Sequence, residues 1–334
     1  MLFKNFFLIF LALQNILYVE PFLYKFPKYT RKLSLNNNYD FTCSNWDGSD
    51  INTLIFEGGG VRAVVYSGVI KKLEENGILD NIKYLAGTSS GAQTAALICC
   101  GYDSIDLKNA LKNAPWKKIL NGGFLSFKGI YFLFSKYGVY NAIYLETYLD
   151  ELMYNKTGLR QITFKELYNL SGIHLKIGVC SLRDHEFKYI DHFNYPDMPV
   201  SKGLLASSSV PILFTTTIYN DECFTDGGLV GNLPTTAFPY NKCLAFSLSG
   251  NNESIQARNN PQNLLSFIKI VLNILLNYAR ELYSSKNLCL RNIEFIKIFT
   301  GDIGLLDTKM TNETIENLIE HGYLAVESFL NKTI

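Results

Sequence analysis

Twice in close succession the sequence runs from a short apolar strand through a glycine turn into a helix. "NTLIF" stops at Glu57-Gly58-Gly59-Gly60, and a helical pattern follows, with Val65, Val69 and Leu73 on one side and "KKLEEN" before Gly77. "NIKYLA" then enters "GTSSG", and "AQTAALICCG" reads as the next helix. A strand that reaches the next through a helix lies parallel to it, so this grammar specifies an α/β domain built on a parallel sheet. Further strands are expected at "HLKIGVCSL", "FKYID", "KCLAFSLS" and "IEFIKIF". Further helices are expected at 106–113, 142–153, 201–207, 262–283 and 313–330. No internal repeat interrupts the pattern, and residues 51–332 parse as one domain.

The residues before that domain differ in kind. "MLFKNFFLIFLALQNILYVEP", residues 1–21, has an apolar stretch from Phe6 that is broken at Gln14-Asn15 and resumes to Val19. It has the length of a signal-peptide core, is short for a spanning helix, and lacks an A-x-A-like cleavage site. Lys25, Lys28, Arg31 and Lys32 follow it against Lys4 before it, the bias of a signal anchor that keeps the main body on the cytosolic side. Five N-x-S/T sequons, at Asn155, Asn169, Asn252, Asn312 and Asn331, point the other way, but about four are expected by chance. A signal or anchor segment with the side of the membrane open is therefore the expectation, with residues 22–50 as a polar, turn-rich linker.

A net charge of +1 carries no basic excess of the kind that nucleic-acid binding requires. The hydrophobic share of 48% and aromatic share of 14%, against only 18% charged residues, suit a globular protein with apolar surface available to lipid. The seven cysteines (Cys43, Cys99, Cys100, Cys180, Cys223, Cys243 and Cys289) include no CxxC pair and read as core residues.

The chemistry concentrates at Gly87-Thr88-Ser89-Ser90-Gly91. In a Gly-x-Ser-x-Gly frame between strand and helix, small residues let the backbone close on itself. The central serine is then lifted clear of the sheet, and the helix N-terminus faces a developing oxyanion. That frame makes Ser89 the candidate nucleophile, Ser90 its neighbour at the helix start, and Gly87 and Gly91 the elbow. A serine-rich N-cap is the plainer alternative. The earlier turn, Gly58-Gly59-Gly60, exposes successive N–H groups and so forms an anion cradle. Gly58-x-Gly60-x-x-Ala63 also fits a loose dinucleotide fingerprint, yet Asp80 precedes the second strand where an acidic residue should end it. An oxyanion hole facing Ser89 fits better. Arg62 adds positive charge beside it or serves a surface ion pair.

A base for the serine is harder to find. His321 sits on an amphipathic helix, His174 opens a strand, and His185 and His192, with Asp184 and Asp191 in "RDHEFKYIDHF", suit a β-hairpin better than a metal site. "CFTDGGLVGNLP" instead offers Asp226 at a strand end, before Gly227 and Gly228, which allow another backbone to come close. Burial would raise its pKa from the ordinary value of about 3.9 into the range of a useful base. Asp-Gly is equally a turn signal.

"EGGGVRA", "GTSSGA" and "TDGGLVGNLP", in that order, resemble the patatin-like phospholipase family. The likeness extends over roughly residues 52–330. It takes in "LLASSSVPILFTTTIYNDECFTDGG" and "GDIGLLDTKMTNETIENLIEHGYLAVESFL". The resemblance implies a three-layer α/β/α sandwich with a mainly parallel central sheet. It implies lipid acyl hydrolysis through an acyl-enzyme, with Ser89 as nucleophile, Asp226 as general base, Gly58, Gly59, Gly60 and Arg62 at the oxyanion hole, and no metal or cofactor. Glu57 stands where the family often has Asp, and Ala63 where it usually has Gly. A membrane lipid substrate and a membrane surface are the partners implied; no protein partner is specified. Two other readings stay open, a lipid-binding scaffold with the site spoiled at Ala63 and a nucleotide-binding protein. For lipid contact, the aromatic stretch 123–148 (Phe124, Phe127, Tyr131, Phe132, Phe134, Tyr137, Tyr140) is either a mouth at headgroup level or ordinary packing. The run 264–282 is expected as a buried or interfacial helix.

Overall fold

The computed structural model describes residues 51–121, 126–250 and 292–333, with isolated positions between 260 and 274. The leader segment, the linker, Phe124 and most of the expected helix over 262–283 lie outside the described residues. Among the described residues no helix is long and apolar enough to cross a membrane.

Both strand–turn–helix units form where the sequence places them. β1 (Thr53–Phe56) leads through a tight turn into α1 (Val65–Glu75), and β2 (Tyr84–Thr88) leads directly into α2 (Ser90–Cys99). β1 and β2 pair in parallel from Thr53↔Tyr84 to Phe56↔Gly87. Side chains alternate across this sheet, as period-two strands require. Leu54, Phe56 and Leu85 enter the large core, while Ile55 and Ala86 enter a smaller cluster with Ala237 and Phe238 on the opposite face.

The remaining elements complete a mixed sheet flanked by helices. In chain order they are α3 (Ser104–Lys112), α4 (Phe127–Lys136), β3 (Gly138–Tyr140), α5 (Ile143–Thr157), α6 (Phe164–Ser171), β4 (His174–Ser181), β5 (Glu186–Ile190) and α7 (Val200–Ser207). After these come β6 (Ile212–Phe214), β7 (Thr217–Tyr219), β8 (Glu222–Asp226), β9 (Cys243–Ser249), β10 (Ile293–Phe299) and α8 (Asn312–Thr333). The sheet order is β10-β9-β1-β2-β4-β8-β7, with β5 also on β4, and β3 and β6 form a separate parallel pair. The five strands from β10 to β4 run parallel, β5 and β8 pair antiparallel with β4, and β7 pairs antiparallel with β8. The expected hairpin around His185 is therefore present, with Ile177↔Ile190 through Ser181↔Glu186 paired.

One register detail decides where the site forms. β2 pairs with β4 up to Thr88↔Gly178, and β8 pairs with β4 from Val179↔Asp226 onward. Residues 177–181 of β4 use their other edge for β5. A strand has only two edges, so β2 and β8 lie end to end along the same edge of β4 and meet at Gly178-Val179.

Helix α8 closes the domain over α1. The two backbones cross at glycines. A Cβ on Gly68 would sit 1.8 Å from the Ile319 carbonyl oxygen, and one on Gly322 2.0 Å from that of Val65. Lys72 reinforces the crossing by donating to Glu327 at 3.0 Å and to the Tyr323 hydroxyl at 3.2 Å.

Candidate active site

Ser89 occupies the sharp corner between β2 and α2, with φ 52° and ψ −125°. A non-glycine residue holds such a backbone only where its surroundings enforce it. The glycines on either side do so by allowing contact. A Cβ on Gly87 would lie 2.3 Å from the Gly91 carbonyl carbon, and one on Gly91 2.3 Å from the Phe56 carbonyl oxygen. The Ser89 N–H donates to Ser207 Oγ at 2.8 Å, and that hydroxyl donates to the Gly178 carbonyl at 2.7 Å. Ser90 points elsewhere, its buried Oγ accepting the Gly59 N–H at 2.9 Å.

Because β8 ends where β2 ends, Asp226 arrives beside Ser89. The Ser89 side chain lies close enough to its carboxylate to lower the aspartate's pKa. The Gly228 N–H donates to Asp226 Oδ1 at 2.6 Å, and the Asp226 N–H to the Ser209 carbonyl at 3.0 Å. Gly227 permits the join, since a Cβ there would lie 2.4 Å from the Gly178 carbonyl oxygen. Asp226 is only 5% exposed. Burial pushes its pKa up to about 6, and the hydrogen bonds from Gly228 and Ser89 restrain that rise.

The glycine turn after β1 lies against this pair. A Cβ on Gly58 would come within 3.1 Å of Ser89 Cβ, and Gly60 has the left-handed φ of 57°. The Gly58 N–H donates to the Asn232 carbonyl at 3.1 Å, so with Gly59 bonded to Ser90 two of the three expected oxyanion donors already have partners. Arg62 lies beneath the turn, its Nε donating to the Gly59 carbonyl at 3.3 Å. Ala63 is buried and does not have positive φ, so its methyl group sits in the turn without backbone strain.

Three residues to which the sequence assigns no role, Glu57, Asn232 and Ser207, hold the site together. Glu57 is buried, accepting from the Asn232 side-chain amide at 3.0 Å and from the Leu248 N–H of β9 at 2.6 Å. Asn232 also donates to the Gly58 carbonyl at 3.0 Å. Glu57 thus ties β1, β9 and the segment after Asp226 together, and its extra methylene relative to Asp gives it reach. Ser207 is the third. Its signal was the serine run in "LLASSSVP", but only the folded register shows that it bridges Ser89 and Gly178.

Beside Ser90 and Gln93 opens a slot of about 40 Å³ between α2, α3 and α5, walled by Leu97, Leu107, Leu149 and Leu152. Its hydroxyls are already engaged: Tyr66 with the Glu57 carbonyl, Ser67 with that of Ser104, and Tyr148 with that of Ala110. The lining is therefore apolar in effect.

The histidines lie away from Ser89. His174 begins β4, opposite the first residue of β2, and approaches Asp191 at 3.4 Å. His192 stacks on Tyr168, where burial lowers its pKa. His185 sits in the hairpin turn with φ 57°, and His321 Nδ1 lies 3.0 Å from the Phe299 carbonyl. Among the described residues no group of three or more metal-ligating side chains converges. Cys99, Cys100, Cys180 and Cys243 are buried, and desolvation pushes the thiols of Cys100, Cys180 and Cys243 up to about 12, as suits inert core residues.

Residues 54–239 match the family model described as Patatin-like phospholipase. A probable lipid hydrolase of Invertebrate iridescent virus 6 is 25% identical over 222 residues, which cover 65% of this chain and 70% of that protein. An uncharacterized protein of Acanthamoeba polyphaga mimivirus is 24% identical over 293 residues, covering 86% of this chain and 96% of its own length. Among solved structures, VipD from Legionella pneumophila superimposes with a TM-score of 0.57 at 18% identity, over 85% of this chain and 67% of VipD.

Proposed function

Because the chain belongs to the patatin-like phospholipase family, we propose that it is a lipid acyl hydrolase that cleaves fatty-acyl esters of phospholipids or other glycerolipids through Ser89 and Asp226. The observation that carries this reading is that β2 and β8 meet on one edge of β4, which sets the buried Asp226 carboxylate beside Ser89, and burial there raises its pKa to about 6. A carboxylate with its ordinary pKa is too weak a base for a serine hydroxyl; one raised toward neutrality can take the proton as the C–O bond forms.

In this mechanism Ser89 Oγ attacks the ester carbonyl carbon while its proton passes to Asp226. Negative charge develops on the carbonyl oxygen, near the glycine turn and the N-terminus of α2. There the oxygen competes with Ser90 Oγ for the Gly59 N–H, while Arg62 fixes the turn through the Gly59 carbonyl. Collapse expels the alkoxide, which takes the proton back from Asp226 and leaves an acyl group on Ser89. Water then attacks the acyl-enzyme by the same route, with Asp226 again as base.

Covalent labelling with a fluorophosphonate probe tests the assignment. Labelling should disappear in Ser89→Ala, persist in Ser90→Ala and slow by at least about a hundredfold in Asp226→Asn. Equal labelling of folded Ser89→Ala would refute it.

A further inference from the structure

Between Asp106 and Glu146 the sequence contains six lysines (Lys108, Lys112, Lys117, Lys118, Lys128 and Lys136) and no aspartate or glutamate, although the whole chain is nearly neutral at +1. Within this stretch lies α4. Its Phe127, Ile130, Tyr131 and Phe134 follow the i, i+3, i+4, i+7 spacing that places side chains on one helix face. A helix packed on its own domain buries such a face. Here the four residues are 96%, 43%, 64% and 70% exposed, whereas Gly129 is buried. Lys128 and Lys136 flank the helix, their ammonium groups 5.7 and 5.6 Å from the Phe132 ring centroid.

The helix is tied to the candidate active site. The carbonyls of Lys136 and Tyr137 accept from the N–H groups of Thr216 and Ile212, and β3 pairs with β6. The chain just before β6 includes Ser207 and Ser209, which bond the backbones of Ser89 and Asp226. Exposed apolar side chains also adjoin the other site segments, with Leu305 beside Gly60 and Val230 after the Asp-Gly-Gly turn.

We propose that α4 is a docking helix that lies in the headgroup region of an anionic lipid surface. Its Phe, Ile and Tyr side chains enter the acyl boundary, and Lys128 and Lys136 meet the lipid phosphates. An outward apolar face would favour many partners, but Lys128 and Lys136 on the helix itself, within a stretch of sequence that has no acidic residue, select a surface of dense negative charge. This rests on the proposed lipid hydrolysis only for its purpose: docking delivers substrate to Ser89, yet binding can be measured without turnover.

The test uses the full chain as Ser89→Ala, sedimented with vesicles of phosphatidylcholine alone or mixed with phosphatidylserine. Anionic vesicles should bind it at least about tenfold better, and added salt should erase the difference. Phe127→Asp with Phe134→Asp should remove binding to both vesicle types. Lys128→Glu with Lys136→Glu should reduce the anionic preference alone. Phe127→Trp, a conservative change, should show a blue-shifted emission at lower lipid concentration on anionic than on phosphatidylcholine vesicles. Equal vesicle binding by all variants would overturn the proposal, as would α4 substitutions that instead dissolve a dimer of this chain. In parallel, the Ser89-containing versions should hydrolyse a soluble short-chain ester at equal rates. If none does, the hydrolase reading fails, and α4-dependent vesicle binding would still uphold the docking surface.

Discussion

Asp226 is a carboxylate placed where burial disfavours its charge, and that single choice links chemistry to stability. Its pKa rises from 3.8 to about 6, so between those values the folded state holds a proton that the unfolded chain releases. Stability therefore falls as pH rises through that window, and above it the ionised carboxylate costs the fold roughly 3 kcal/mol. Asp226→Asn should raise the melting temperature at pH 7.5 while leaving it nearly unchanged at pH 4. Ester hydrolysis by the unmutated protein should rise with pH through about 6, as the base loses its proton, and the Asn variant should show no such limb. A melting temperature unchanged at both pH values would mean that Asp226 is not held against its preferred state. At this scale the sequence was legible where the constraint is local. Gly87, Ser89 and Gly91 announce their corner through spacing alone, whereas Glu57, Asn232 and Ser207 take their roles from partners distant in sequence.

Among elements, those with a strong local period were readable in advance. β4, β9 and β10 fall on the runs that suggested them, and α7 and α8 lie within a few residues of expectation. α6 went unread although Thr163 and Glu166 form a reciprocal capping box at its start, a signal present in "TFKE". α4 was obscured because its Phe127, Ile130, Tyr131 and Phe134 face outward while little more than Gly129 is buried, so the usual inside–outside rule cannot place it. The crossing of α1 and α8 makes a claim about domain extent, since α8 lies beyond the matched span of 54–239. Gly322→Val would force a side chain into the α1 backbone and should destabilise the whole protein by about 3 kcal/mol or more. A single shifted urea transition would place α8 within the cooperative unit, while an unshifted main transition would make it an appendage.

For the whole molecule, the most informative relation is one that no local pattern encodes. The sequence indicates a parallel sheet, but it does not say that β2 and β8 share an edge of β4, because strand order depends on the packing of every layer at once. The resemblance supplied the pairing of Ser89 with Asp226, and the register supplies its physical reason. That arrangement also predicts where the chain can tolerate change in length. Two strands meeting nose to nose at Gly178-Val179 leave no slack, and the Ser207 hydroxyl bridges the interruption between them. The hairpin turn at 182–185 and the turn at 220–221 end in solvent and can grow. In a scan of single-alanine insertions assayed for soluble expression, tolerance should be high at those two turns and vanish at 86–89, 178–179 and 225–227. Such a map would trace the seam from outside, as a stretch of sequence free to vary in its letters at some positions but not in its count.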